Sequence, residues 1–415
     1  MNGKLTRSLT LAAGMMCLVA QPAQAATDSR EEIELLKQQV QQLMQQNQQL
    51  HQRLSAFRNG KNTAVQTIAG KESVTEDVAL HEDEKSSGLA INEFVSLSGS
   101  IEGDFKTGED FTGNHSSEFV LDTVELILEA RMTDWATGKI VIDYDGTSDS
   151  EDLFLDEAHI TLGKTETFPF FLTGGKIYAP FGDFSTNMIQ DPLTQALGEI
   201  NPKGIIAGYE NNGVIANVFS YNGMREGGDP AEEENDSING FGASLAYSYE
   251  QDECGFNAGI GWVSNLADAG TITDYLEEKG IFAVADQAPG LSLNLGARYN
   301  AFALLTEYVT ALDHFTLDEL PYGVSEAEPS AWNSELAYTA TIMDKETVFA
   351  VGYQKSWEAS ALELPEHRYL VAASIGLFEG TTLAFEYYYD KDYSISDGGT
   401  DNNGHGFTTR LGYEF

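Results

Sequence analysis

Cysteine, positive charge and long apolar runs are all scarce in this sequence. Of its two cysteines, Cys17 lies in an apolar stretch near the start and Cys254 stands far from it. Once that stretch is removed Cys254 has no partner in the chain, which excludes an intramolecular disulfide. Lys and Arg total 23 against 65 Asp and Glu, a net charge of −42. A chain this acidic repels nucleic acid, so that partner class is excluded. Past the first 25 residues no run is long and apolar enough for a transmembrane helix. A Gly-x-Ser-x-Gly elbow is missing, as is a convergent Ser/His/acid set, so no enzyme chemistry is expected. His159 has no second His or Cys at ligand spacing, so neither a metal nor another cofactor is expected.

What is present begins with an export signal. Lys4 and Arg7 precede the apolar run Leu9 to Ala20, and Ala23 and Ala25 supply small residues for cleavage. Residues 1–25 therefore read as a secretory signal peptide. Residues 29–57 carry a heptad seam: Ile33, Val40, Asn47 and Leu54 at one core position, Leu36, Leu43, Leu50 and Phe57 at the other. The alternating spacing of three and four predicts a coiled coil and self-association. Ile and Val opposite Leu suit a dimer, whereas barrels of the size argued below commonly form trimers, and a trimer is the favoured expectation. The polar stretch 58–92 lacks periodicity and reads as a flexible periplasmic linker.

From residue 93 to 415 the period changes from helical to strand-like. The last ten residues place Phe407, Thr409, Leu411, Tyr413 and Phe415 on one face and Thr408, Arg410, Gly412 and Glu414 on the other. Similar segments recur: Val124, Leu126 and Leu128 against Glu125 and Glu129; Leu291, Leu293 and Leu295 against Ser292, Asn294 and Gly296; Leu383, Phe385 and Tyr387 late in the chain. Sixteen such segments can be counted, each about the length a tilted membrane strand needs. Mean hydropathy is only −0.26, as expected when alternate residues alone face lipid. Short connections such as 132–138, 210–213 and 343–346 alternate with long ones such as 180–203, 264–288 and 390–405. The fold expected is an all-β antiparallel transmembrane barrel with an N-terminal helical coiled coil, both termini periplasmic, in the bacterial outer membrane.

A barrel of that size encloses water unless plugged. The positions expected to face it include Arg131, Glu157, His159, Lys176, Arg298, Glu307 and Arg410. Lys176, Arg298 and Arg410 could hold a carboxylate or phosphate, or merely pair with lumen acids. The long connection opening Gly174-Gly175-Lys176 and running past Asp191-Pro192-Leu193 is apolar enough to fold inward and narrow the channel, or to pack as a surface loop. The aromatic terminal strand, with Tyr413 and Phe415, has the form of an outer-membrane assembly signal. Expected partners are outer-membrane lipid and lipopolysaccharide, the barrel-assembly machinery and a small solute.

The Leu155 to Gly163 stretch, the Gly174 to Phe184 segment and Gly208-Tyr209-Glu210-Asn211 resemble the siderophore porins typified by the legiobactin receptor. The likeness covers nearly the whole mature chain. It implies passive uptake of a ferric siderophore without catalysis, and it assigns no binding residue. Too little chain precedes the first strand for a plug domain. The alternatives left open are a general or cation-preferring diffusion porin and an envelope-tethering barrel.

Overall fold

The computed structural model describes residues 89–415 apart from 93, 147–152, 228–236 and 252. The expected signal peptide, the coiled coil with its eight seam residues and nearly all of the linker lie outside the described residues. The linker's last four residues do not continue an irregular chain. Leu89–Asn92 form a short strand whose Leu89 pairs with Leu97.

Sixteen strands build the barrel. The first five are β1 (Val95–Glu109), β2 (His115–Thr133), β3 (Ala136–Asp145), β4 (Leu153–Lys164) and β5 (Phe168–Lys176). The next five are β6 (Lys203–Asn211), β7 (Val214–Asn222), β8 (Ile238–Gln251), β9 (Cys254–Val263) and β10 (Gly290–Tyr299). The last six are β11 (Phe302–Ala311), β12 (Ser330–Ile342), β13 (Lys345–Trp357), β14 (His367–Phe378), β15 (Thr381–Lys391) and β16 (Asn403–Glu414). Each pairs antiparallel with its successor, and β16 returns to β1 with Glu414 opposite Ser100 and His405 opposite Glu109. Gly99 and Phe415 complete the seam by exchanging two backbone hydrogen bonds of 3.0 Å. Closure leaves no strand edge in hydrocarbon, where unpaired backbone groups are costly.

The pleat sorts the side chains. Leu162 and Leu172, Ile160 and Gly174 are opposite one another and face outward. Outward residues such as Leu126, Ile140, Leu245, Leu336 and Leu411 are exposed, forming the apolar wall that a bilayer would cover. At one end all connections are tight. Asn212-Gly213 (φ 50° and 76°) and Met343-Asp344 (φ 51° and 60°) take the left-handed conformations of two-residue hairpin turns.

At the other end the connections are long, and among the described residues the hydrophobic core lies there rather than between layers of sheet. Phe181, Leu197 and Ile200 from the 177–202 loop pack with Leu266, Ile272 and Leu276 from the 264–289 loop and with Phe315 and Leu320. Two helices, α1 (Leu193–Gly198) and α2 (Gly270–Glu278), belong to this cap. The loops at the mouth of the barrel are thus welded together by apolar burial.

Candidate functional site

The site is the lumen, and the 177–202 loop shapes it. The loop follows Gly175, whose φ of 147° and close approach to the Ala158 carbonyl exclude any side chain. Its two ends are pinned together: Ala179 N–H donates to the Ile200 carbonyl at 2.8 Å. Tyr178 Oη and Asn201 Nδ2 both donate to Asp156 Oδ1 at 2.9 Å. Asp156 is the residue that the β3–β4 register skips, so a bulge aims it at the loop.

Between those ends the loop runs inside the barrel along the wall formed by β11 to β15. Apart from α1 it has no regular structure, so its backbone N–H groups need acceptors. The wall supplies them. Glu307 accepts from the N–H of Asp183 (2.8 Å) and of Phe184 (3.2 Å) and from Thr194 Oγ1 (2.9 Å). Glu335 accepts from Thr186 Oγ1 (2.6 Å) and Asn187 N–H (2.8 Å), and Glu386 from the N–H of Ile189 (2.5 Å) and Gln190 (3.3 Å). Gln354 Oε1 accepts from Leu193 N–H at 3.2 Å. All four wall side chains are buried. The inward fold of the loop, one of two readings left open by the sequence, is the one adopted. Glu307, expected to line the pore and select solutes, is corrected to a loop anchor.

The bases expected to bind anions are occupied or misplaced. Arg410 grips Asp104 with Nε and Nη2, both at 2.9 Å, and also contacts Glu102 and Asp122. Lys106 reaches Asp122 at 2.5 Å. Arg298 is bonded to Glu250. Lys139 lies 2.9 Å from Glu157, whose other oxygen is 3.3 Å from His159 Nε2. Arg368 holds Asp390 in two-pronged fashion. Arg131, near the tight-turn end of β2, bonds to Thr137 at 3.4 Å.

Lys176 is a correction. It pairs with Ala158 and Lys203, in phase with Leu172 and Phe170, so it faces outward at the long-loop rim. Its Nζ donates to the Leu155 carbonyl at 2.7 Å. The two glycines before it hide the alternation, although counting by two from Leu172 would have found it.

Outside the loop's footprint the lumen divides into two kinds of wall. One side, centred on β16, β1, β2, β3 and β4, carries the ion pairs of Arg410, Lys106 and Lys139. The other, from β6 to β10, carries Asn217, Ser244, Ser248, Asn257 and Asn294 at mid-height, with charges such as Glu210, Glu250 and Arg298 nearer the tight-turn end. On the tight-turn side of the loop a cavity of about 940 Å³ spans both walls, touching Ser98, Glu129, Lys139, Glu250 and Arg298 as well as Asp183 and Asn187. The charged residues around it are Glu129, Asp183 and Glu250 with Lys139 and Arg298. Tyr413 and Phe415, the aromatic end of β16, face outward with rings 6.1 Å apart. Cys254 is a free, exposed thiol.

No protein-family model matches the chain. A UPF0422 protein of Coxiella burnetii is 27% identical over 334 residues, covering 78% of this chain and 70% of its own. A UPF0422 protein of Legionella pneumophila strain Philadelphia 1 is 26% identical over 330 residues, 73% of this chain, which spans only 60% of that relative. Neither name refers to a siderophore. Among solved structures, the outer membrane channel DcaP of Acinetobacter baumannii superposes with a TM-score of 0.52 at 14% identity, over 77% of this chain and 97% of its own. An anion-selective porin from Comamonas acidovorans gives 0.53 at 12% identity, over 77% and 99%. Salmonella typhi OmpF gives 0.53 at 13% identity, over 79% and 100%. The closed sixteen-strand barrel of this chain has the fold of the outer-membrane porins.

Proposed function

We propose that this protein is an outer-membrane channel for passive diffusion of small hydrated solutes, with a preference for cations. The observation that carries the reading is a closed barrel narrowed by a loop fixed inside it, in which the lumen bases are neutralised. Lys106, Lys139, Arg298, Arg368 and Arg410 each hold a carboxylate, and Glu129 and Glu210 add further acid to the lumen strands. A permeating cation meets a favourable field in such a lumen, whereas an anion must break an ion pair to gain a contact.

Uptake of a ferric siderophore is the finer reading and rests on the resemblance alone. An anionic chelate finds poor purchase here, since Arg298 and Arg410 are spoken for and Lys176 faces away. A planar bilayer holding the purified protein tests both readings: a reversal potential favouring cations, insensitive to ferric chelates, is expected. Anion preference, or micromolar block by one ferric chelate, would overturn the cation reading.

In this proposal the tight turns and both termini face the periplasm and the long loops face outward. The rim residues fit that orientation. Lys355, His367 and Lys391 are directly opposite one another on β13, β14 and β15, facing outward at the long-loop end. Just inside them lie Tyr353, Tyr369 and Tyr389, with successive ring separations of 5.2 and 6.5 Å. Glu366 lies 3.5 Å from His367 and 3.6 Å from Lys391; a polar rim with Lys355 over a row of aromatics suits the headgroup region of the outer leaflet, with lipopolysaccharide as the natural occupant. Recognition of Tyr413 and Phe415 by the assembly machinery, and trimerisation through the heptads, belong to the same proposal.

A further inference from the structure

We propose that the amide-rich wall of the lumen holds a binding subsite for a neutral, hydroxylated ring such as a hexose unit. This rests on the channel reading and adds a solute class to it. A cavity of about 480 Å³ opens between the root of the inward loop and strands β5 to β10. That is the size range of small-ligand sites and ample for one or two sugar rings.

Two lumen glycines let the side chains beside the cavity pack close to the wall. A Cβ on Gly208 would come within 2.1 Å of the Phe171 ring and 2.7 Å of Asn217 Oδ1. A Cβ on Gly259 would meet the Asn294 amide at 2.7 Å. These side chains lie flat against bare backbone and leave a recess rather than a protruding wall.

The chemistry of the recess is that of a hydroxyl-rich, uncharged ligand. Phe171, Ile206 and Ile215 give one apolar side, a platform for the C–H face of a ring. Amides give the other. Asn217 is 9% exposed; its Nδ2 donates to Ser244 at 3.1 Å, while its Oδ1 is buried with no hydrogen-bond partner. A buried acceptor without a partner is costly, and because Asn217 lines the cavity, turning its amide toward the recess would let a ligand hydroxyl supply the missing donor. Asn257 donates to Asp183 at 3.0 Å, which orients a carboxylate at the same recess to accept hydroxyl protons. No Lys or Arg borders the cavity. Asp183 and Glu210 border it, so a carboxylate or phosphate ligand would be repelled, whereas a hydroxylated ring can donate to both.

The test uses the full chain in detergent and in planar bilayers, with maltose and glucose as probes and a polyethylene glycol of matching size as control. Saturation-transfer NMR should report sugar contact, and sugar should reduce single-channel current saturably, with half-block in the millimolar range. The polyethylene glycol should do neither. Asn217→Ala and the cavity-filling Ala246→Phe should each weaken sugar contact at least tenfold, with heat-modifiable migration verifying that both fold. Val218→Ala, which points outward on the same strand, should change nothing. Current without any sugar effect beyond that of the glycol overturns the subsite and leaves the channel standing. Sugar contact without current does the reverse. Undiminished sugar contact in Ala246→Phe also overturns the subsite.

Discussion

The carboxylate of Glu307 accepts a 2.8 Å hydrogen bond from the backbone N–H of Asp183, a residue 124 positions earlier in the chain. The bond fixes the loop to the far wall of the barrel. Glu335 and Glu386 repeat the device on β12 and β15. Charge-assisted bonds of this kind contribute roughly 1.5–3 kcal/mol each, and the cost of losing one is greater where the group left behind is buried. Glu335→Ala should therefore loosen the middle of the loop. Single-channel recordings should show a larger and noisier conductance than the parent, and an unchanged trace would refute the anchoring role.

Arg410 is tied to Asp104, which is only 2% exposed. Removing the base leaves the buried carboxylate with Lys106 alone, 3.6 Å away; losing the partner of a buried charge costs up to about 3–5 kcal/mol. Arg410→Ala should lower the temperature at which the barrel unfolds on gels. Arg410→Ala combined with Asp104→Asn should recover part of that loss. If the double variant were no better than the single, the pair would not be the source of the effect.

The loop carries a proton-sensitive group at the C-cap of α1. Burial, and then the charge of Asp191, push the Glu199 carboxyl from an ordinary 4.5 up to about 7; Gln195, donating at 2.8 Å, opposes this and Asp156 adds to it. A carboxyl whose affinity for a proton rises on docking stabilises the docked loop fully below its ordinary value. That contribution is lost as pH climbs through about 7. Conductance should accordingly increase between pH 6 and pH 8, and Glu199→Gln should flatten the profile. A profile identical in the variant would remove Glu199 from the explanation.

The heptad seam predicts assembly independently of the barrel. Leu43→Asp with Leu50→Asp places charge at two core positions and should reduce self-association of a 29–57 peptide to monomer in sedimentation. A wild-type peptide that is itself monomeric would dispose of the coiled coil.

Much of the barrel was legible because strand periodicity is local. Leu162 and Ile160 face lipid for the same reason that Thr161 does not, and two residues of sequence suffice to see it. The strand total, the alternation of tight and long connections and the return of the last strand to the first followed from repeating that reading along the chain. The fifth strand, Phe168–Lys176, shows the limit: Gly174 and Gly175 carry no side chain to mark a face.

The functional interior was less legible. Inward acids and bases could be named but not matched, because Arg410 finds Asp104 only after the barrel closes, 306 residues apart. Glu307, a lumen acid by its phase, becomes an anchor only because a loop with unpaired N–H groups crosses its face. By itself, then, the sequence determined a closed, alternating, outward-apolar barrel, since each strand's two faces are set by neighbouring residues. Only the tertiary structure decided which charges are neutralised, which wall carries the amides and where the loop lies, since those depend on residues that meet across the lumen.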